Sequence, residues 1–366
     1  ISEERVQEKC EYLKRLGAFL ADLVRLGIRH PDMHPGNIFV DQTNGKLYLG
    51  DLFGASLGSK LSLQQETAIL AVLNDMRSGM TPEDEDIIFA RLCRPGESIK
   101  DCWLRLEQQM MHDRAKRWRG RKRKLLGNSS FVIMDSSHTE GILLYRTGMD
   151  PATIIGAVQA HKNQLANFPD DMIKRDTKRN VSEVAPRGQK VIVKEFKKPG
   201  PWGKYAPDHR SWLANWRLEL SGFPVPQYLG WLKAKSGPAF LVMEYIEGAL
   251  FSDALLAAAL KPEPANHQEL DLLFAAQRDL LERLHRWGIV HEDFKTQNII
   301  VNWKDGRFVL TLIDNDAVLF GQVPGRKEWL RNLRHIRDTL PGHAAVQEAF
   351  RRNYPEASEL SPDSDR

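Results

Sequence analysis

The chain has 366 residues, 42% of them hydrophobic and 27% charged, with a formal net charge of +4; that length accommodates two domains of ordinary size, and the balance excludes disordered and fibrous classes. Three cysteines (Cys10, Cys93, Cys102), with no C-x-x-C pair and no histidines at zinc spacing, argue against a structural metal and for a reducing compartment, so the chain reads as cytosolic. No run approaches the roughly 18 apolar residues of a membrane span, and the start Ile1-Ser2-Glu3 has neither a signal peptide nor an initiator methionine, which leads us to expect a piece of a longer protein.

In chain order, residues 3 to 26 place apolar side chains at helical spacing (Val6, Leu13, Leu16, Phe19, Leu20, Leu23), and Gly27 suits the end of that helix. Next comes His30-Pro31-Asp32-Met33-His34-Pro35-Gly36-Asn37, then the strand-like Ile38-Phe39-Val40, an Asn44-Gly45 turn and Leu49-Gly50-Asp51. Residues 55 to 112 read as mostly helical, with Thr81-Pro82-Glu83-Asp84 as a capped helix start. The run from Arg114 to Lys124 is almost wholly basic. Behind it stand two strand-like runs, 131–134 and 142–145, and a short helix over 151–164.

Strands then open a second unit: 181–184 and, after the Arg187-Gly188 turn, Val191-Ile192-Val193-Lys194-Glu195-Phe196. A helix near 210–220 precedes Gly222-Phe223-Pro224-Val225-Pro226, and residues 240–248 read as a strand running into a linker. A helix over 270–287 and Gly288 lead to His291-Glu292-Asp293-Phe294-Lys295-Thr296-Gln297-Asn298, to the apolar Ile299-Ile300-Val301, to an Asp305-Gly306 turn and to Leu312-Ile313-Asp314. This is the earlier motif again. Gly27, His30, Asp32 and Asn37 match Gly288, His291, Asp293 and Asn298 at one constant offset, and each copy continues through a hairpin to an aspartate, Asp51 or Asp314. An internal repeat of this extent implies one structural unit used twice. The first copy has too few residues ahead of its loop for a whole unit, so the chain is expected to begin inside that unit.

An acid, a lysine and an amide packed just ahead of a strand make a poor core and a good phosphoryl-transfer site. That chemistry needs a carboxylate to receive the acceptor's proton, cations for the phosphate, and oxygen ligands for magnesium. The pattern H-x-D-x-K-x-x-N followed by a strand-borne aspartate resembles the protein-kinase-like superfamily. With the Gly-Phe-Pro-Val-Pro segment and Leu312-Ile313-Asp314-Asn315-Asp316, the second half resembles more narrowly the lipopolysaccharide core kinases, which act on Kdo or heptose.

That resemblance implies an α+β, bilobal fold with a small β-rich lobe and a larger helical lobe, preceded by a partial large lobe. The expected divisions are 1–112 for the partial lobe, 113–165 for a basic connector with accessory strands and helix, and 166–350 for the complete domain, split near 247, with a polar tail over 351–366. It also implies ATP and Mg2+ as cofactors, Asp293 as base with Lys295 beside it, and Asn298 and Asp314 as magnesium ligands. Lys194 is assigned to the phosphates, Glu219 to an ion pair with Lys194, and Glu244 and Ile246 to adenine. In the first copy Asp32, Asn37 and Asp51 are the equivalents, and His34 replaces the lysine.

The sequence departs from the kinase pattern in three places. No G-x-G-x-x-G loop is present; Lys174-Arg175-Asp176-Thr177-Lys178-Arg179-Asn180 lies between the first strands and is expected to be able to contact phosphate through side chains instead. Glu219 sits late in its helix. Past Asp314 the chain soon reaches a helix over 327–340, which leaves no long activation segment and favours a small or glycolipid acceptor over a polypeptide. The leading expectation is a kinase for a sugar hydroxyl of the lipopolysaccharide inner core, with an aminoglycoside- or choline-type phosphotransferase and a pseudokinase scaffold as alternatives. The basic run offers an anionic membrane surface a contact, so the expected place is the cytoplasm, peripheral to the inner face of the membrane; nucleic acid is not an expected partner.

Overall fold

The computed structural model describes residues 3–360 apart from 59, 71, 77–79, 81, 199–205, 236, 305, 322 and 323. Thr81 and Asp305, read above as a helix cap and a turn, and residues 361–366 of the tail therefore lie outside the described residues. The chain divides into two units, Ile1–Trp118 and Arg119–Arg366.

The first unit is built on the helix Glu3–Arg25, whose apolar spacing puts Leu13, Leu16, Leu20 and Leu23 on one buried face. These pack with Ile69, Leu73, Ile88 and Phe89 from the helices Leu63–Leu70, Val72–Met76 and Pro82–Phe89, and with Cys102, Leu106 and Met110 from the helix Ile99–Lys124. After the first helix the chain turns at Gly27, where φ is 68°. A side chain is strained in that left-handed conformation. A two-residue ladder, Ile28–Arg29 with Ser56–Leu57, and the hairpin Ile38–Val40 with Leu47–Leu49 follow.

The second unit holds a seven-stranded, wholly antiparallel sheet. From one edge its strands are Val132–Asp135, Gly141–Arg146, Tyr228–Ala234, Ala239–Glu244, Val191–Phe196, Arg179–Val184 and Lys174–Arg175. The helix Pro151–Asn167, capped by Asp150, packs Ile154, Ala157 and Val158 on Val191, Val193, Leu232 and Val242. Gly230 is required there, because a Cβ would come within 2.6 Å of Ile154. The helix Pro207–Leu220 lays Trp212 against Tyr228 and Trp231, with ring centroids 6.1 and 5.9 Å apart.

The reading of 113–165 is refined here. The strands expected there as accessory are part of the sheet, because Gly141–Arg146 pairs with Tyr228–Ala234 on one side and Val132–Asp135 on the other. The basic run, read as a connector, is helical. It is the C-terminal part of the helix Ile99–Lys124, where Arg114 pairs with Glu107 at 3.4 Å and Arg117 with Asp113 at 2.7 Å.

Residues 245–248 lead from the sheet to a short ladder, Ala249–Leu250 with Ile300 and Val301, and to the helices Phe251–Ala259 and Ala265–Arg286. The apolar faces of these helices form a second core with Ile299, Leu312, Leu333, Ile336, Val346 and Phe350. The mixed helix-and-sheet class read from the sequence is thus observed. No helix among the described residues is long and apolar enough to cross a membrane.

Candidate active site

The loop from His291 to Asn298 is held from three sides. The helix Ala265–Arg286 ends at Gly288, with φ 66°, and delivers the strand Ile289–His291, which pairs with Val318–Phe320. His291 is fully buried, and its Nδ1 accepts the Asp293 N–H at 3.3 Å. Burial pushes its imidazole toward the neutral form. Phe294 plugs into the helical core, edge-on to His291 with centroids 5.9 Å apart. Thr296 donates its hydroxyl to the Thr339 carbonyl at 2.6 Å and its N–H to the Thr339 hydroxyl oxygen at 3.1 Å. With the phenylalanine inward and the threonine tied down, Asp293 and Lys295 are left at the surface of the loop. Their side chains form an ion pair at 2.6 Å, 35% and 41% exposed.

Asn298 donates its amide to the Asp293 carbonyl at 2.9 Å and to the Asp293 carboxylate at 3.1 Å. Its amide oxygen is therefore the group it can offer to a cation. The next strand, Ile299–Lys304, pairs with Arg307–Leu312 and carries the chain to Ile313, whose N–H bonds the Asn298 carbonyl at 3.0 Å. That bond sets Asp314 beside Asn298.

Both residues line a cavity of about 480 Å3 whose wall also includes Lys194, Arg179, Glu244, Ile246 and Gln297. Lys194 is 5% exposed, on a strand held between Ala239–Glu244 and Arg179–Val184. Its Nζ lies 2.8 Å from Asp314 and 2.7 Å from Asp316. Arg179 reaches the same two carboxylates at 3.1 and 2.6 Å. Burial alone would raise the Asp314 carboxyl, but the Lys194 and Arg179 charges hold it well below the usual carboxylate range.

The residues singled out in the sequence of the second unit thus fall into two sets. Lys194, Glu244, Ile246, Asn298 and Asp314 meet at the cavity, and Asp293 joins them through its bond to Asn298. Glu219 does not: its carboxylate is bound to Arg146 at 2.7 Å, and Lys194 takes its partners from the Asp314 loop instead. Arg179 and Asp316 were not singled out, although both lie inside segments the sequence reading quoted. Arg179 sits in the place of a glycine loop because Asp176 closes the turn, its carboxylate accepting the Lys178 and Arg179 N–H groups at 2.7 Å. Burial opposes that arrangement, yet those bonds hold Asp176 down at about 2.

In the first unit the same frame recurs by itself. Asn37 donates to the Asp32 carbonyl at 2.8 Å, His30 Nδ1 accepts the Asp32 N–H at 3.3 Å, and the Gly50 N–H bonds the Asn37 carbonyl at 2.8 Å. Two features differ. Asp51 is in the left-handed region with φ 48°, and the strand residue Phe39 is 56% exposed, whereas the second hairpin is covered by Ala249–Leu250.

Magnesium fits the second site. Asp314 and the Asn298 amide oxygen are a carboxylate and a neutral oxygen on one cavity wall, and this ion is commonly held by one or two protein oxygens with water and phosphate completing its shell. Among the described residues no cluster of three or more His, Cys, Asp or Glu forms a metal cage.

Three comparisons with known proteins give similarities. Residues 209–341 match the family model described as Lipopolysaccharide kinase (Kdo/WaaP) family. A probable serine/threonine-protein kinase of Dictyostelium discoideum is 29% identical over 83 residues, which span 23% of this chain and 20% of that protein. A solved structure titled WaaP in complex with acyl carrier protein is similar at a TM-score of 0.40 and 16% identity, over 57% of this chain and 84% of that one. Residues 209–341 thus resemble the lipopolysaccharide kinase family, and the matched segment contains Asp293, Lys295, Asn298, Asp314 and Asp316, while Arg179 and Lys194 precede it.

Proposed function

We propose that the chain is an ATP- and magnesium-dependent kinase that phosphorylates a sugar hydroxyl of the lipopolysaccharide inner core, on Kdo or heptose, from the second unit. The observation that supports this most is the shared cavity wall of Lys194, Arg179, Asn298 and Asp314, with Asp293 hydrogen-bonded to Asn298 at its edge. Asp293 accepts the proton of the attacking hydroxyl, and Lys295, 2.6 Å away, stays beside the carboxylate and faces the incoming phosphate. Lys194 and Arg179 neutralise the phosphate oxygens from the sheet side. The linker at Glu244 and Ile246 offers its backbone to adenine. A magnesium ion held by Asn298 and Asp314 would supply charge neutralisation between the phosphates. The short passage from Asp314 to the helix Arg326–Arg337 favours a glycolipid acceptor over a polypeptide.

The test is transfer of labelled phosphate from ATP to purified inner-core lipopolysaccharide, with kanamycin, choline and a generic protein substrate in parallel. Label in the core sugar, lost in Asp293→Asn, is the expected result. Label in kanamycin or choline alone would instead make the chain a small-molecule phosphotransferase. Nucleotide binding with no transfer to any acceptor would make it a pseudokinase.

A further inference from the structure

We propose that Asp316 is the carboxylate that holds Lys194 and Arg179 in position over the phosphate end of the cavity, the task the sequence assigns to Glu219. This rests on the kinase reading above and adds a positioning residue to it.

Four charged side chains meet here, and their geometry is unequal. One oxygen of Asp316, Oδ2, lies 2.7 Å from Lys194 Nζ and 2.6 Å from Arg179 Nη1, so it serves both cations at once. Asp314 divides its contacts, Oδ1 to Lys194 at 2.8 Å and Oδ2 to Arg179 at 3.1 Å. Arg179, Lys194 and Asp314 line the cavity, whereas Asp316 meets them from outside that lining. A cation entering the cavity therefore reaches Asp314, and Asp316 remains with the lysine and the arginine.

The backbone around Asp316 is fixed on both sides. Asn315 is fully buried, and its amide donates to the Asn215 side chain at 2.8 Å and to the Leu312 carbonyl at 3.3 Å. On the other side the Ala317 carbonyl accepts the Glu292 N–H at 2.7 Å. The Asp316 side chain is 16% exposed, and its second oxygen, Oδ1, is buried with no hydrogen-bond partner among the described residues. Such a carboxylate persists only because two cations compensate it. Glu219 cannot take over the role, since Arg146 holds it 2.7 Å away and stacks on Trp216 at 3.9 Å.

The arrangement gives the two aspartates separate duties. With a magnesium ion and the phosphates bound, Asp314 would be the carboxylate that turns to the metal. Asp316 keeps both cations aimed at the phosphates without competing for the metal.

The test uses the full chain and ATP titrated calorimetrically at a series of magnesium concentrations, with a thermal melt of each variant. Asp316→Asn is expected to weaken ATP binding about tenfold, the scale of a charge-assisted hydrogen bond, while the magnesium concentration giving half-maximal binding stays where it is. Asp314→Asn is expected to move that magnesium midpoint upward. Asp316→Glu, which keeps the charge on a longer arm, is expected to lose a few-fold, and it carries the comparison if the melt shows that Asp316→Asn does not fold. Wild-type ATP affinity in either folded variant would overturn the proposal, as would a magnesium midpoint displaced by Asp316→Asn, since Asp316 would then be a metal ligand. Failure of the unaltered chain to bind ATP would instead sink the kinase reading itself.

Discussion

The Asn298 side chain donates one amide group to both the carbonyl and the carboxylate of Asp293, at 2.9 and 3.1 Å, so the proposed base and a proposed metal ligand are tied into one unit. Mutating either residue acts on the other. Asp293→Asn is expected to lower turnover by roughly 10²–10⁴-fold, the usual reach of a general base, with ATP affinity nearly unchanged. Asn298→Ala is expected to lower turnover as well and to raise the magnesium requirement. Steady-state kinetics over a magnesium series distinguishes the two patterns, and full activity in Asp293→Asn would remove it from the role of base.

Glu219→Gln is expected to leave turnover within about twofold, because its partner is Arg146 and not Lys194. The pair is partly exposed, with side chains 18% and 22% accessible, so its loss should lower stability by about 1 kcal/mol or less. A tenfold fall in activity with an unchanged melt would return Glu219 to the lysine's service.

Asp32→Asn and Asp51→Asn are expected to leave ATP binding by the full chain unaltered. The cavity-lining lysine and linker belong to the second unit, and the first loop has no counterpart to Lys194 among the described residues of its own unit. Calorimetry on the double variant checks this; a halved stoichiometry would reveal a second nucleotide site.

His285 supplies a pH dependence. Burial pushes its imidazole down to about 4, and its Nε2 stands 3.2 Å from the Asn332 side-chain amide. An unfolded histidine takes up a proton near pH 6.5, so the folded state is favoured above that pH. The stabilisation is lost progressively as pH falls from about 6.5 toward 4. Denaturant unfolding at pH 7 and pH 5 should show the loss, and His285→Gln should flatten the difference. An equally steep dependence in that variant would place the effect elsewhere.

The basic end of the helix Ile99–Lys124 is expected to draw the chain to vesicles containing anionic lipid at low salt, each well-placed cation contributing about 1 kcal/mol. Arg114 and Arg117 are engaged by Glu107 and Asp113, so the later residues Arg121, Lys122, Arg123 and Lys124 carry most of the effect. Their replacement by glutamine should reduce co-sedimentation without changing phosphorylation of a soluble acceptor. Indifference of vesicle binding to the substitution would leave these residues as an ordinary solvated helix end.

Much of the site was legible in the sequence because its parts are local. The His291–Asn298 loop needs only a helix before it and a strand after it, and the apolar periodicity marks both. The lysine strand was readable for the same reason. What could not be read was pairing across long separations. Nothing in the local pattern distinguishes Glu219 from Asp316 as a partner for Lys194, since the choice depends on which face of Pro207–Leu220 meets the sheet, and Arg146 on a distant hairpin decides it. That hairpin, 131–146, read as accessory for a related reason. Its second strand joins the main sheet only through Tyr228–Ala234, far along the chain.

The ladder of Val318–Phe320 on Ile289–His291 has one more consequence. The chain just past Asp314 is stitched, pair by pair, to the strand that leads into the His291–Asn298 loop. A stretch anchored in this way stays in register with the loop it serves, so under the proposed function the supply of nucleotide and acceptor, more than a rearrangement of this ladder, is expected to set the output.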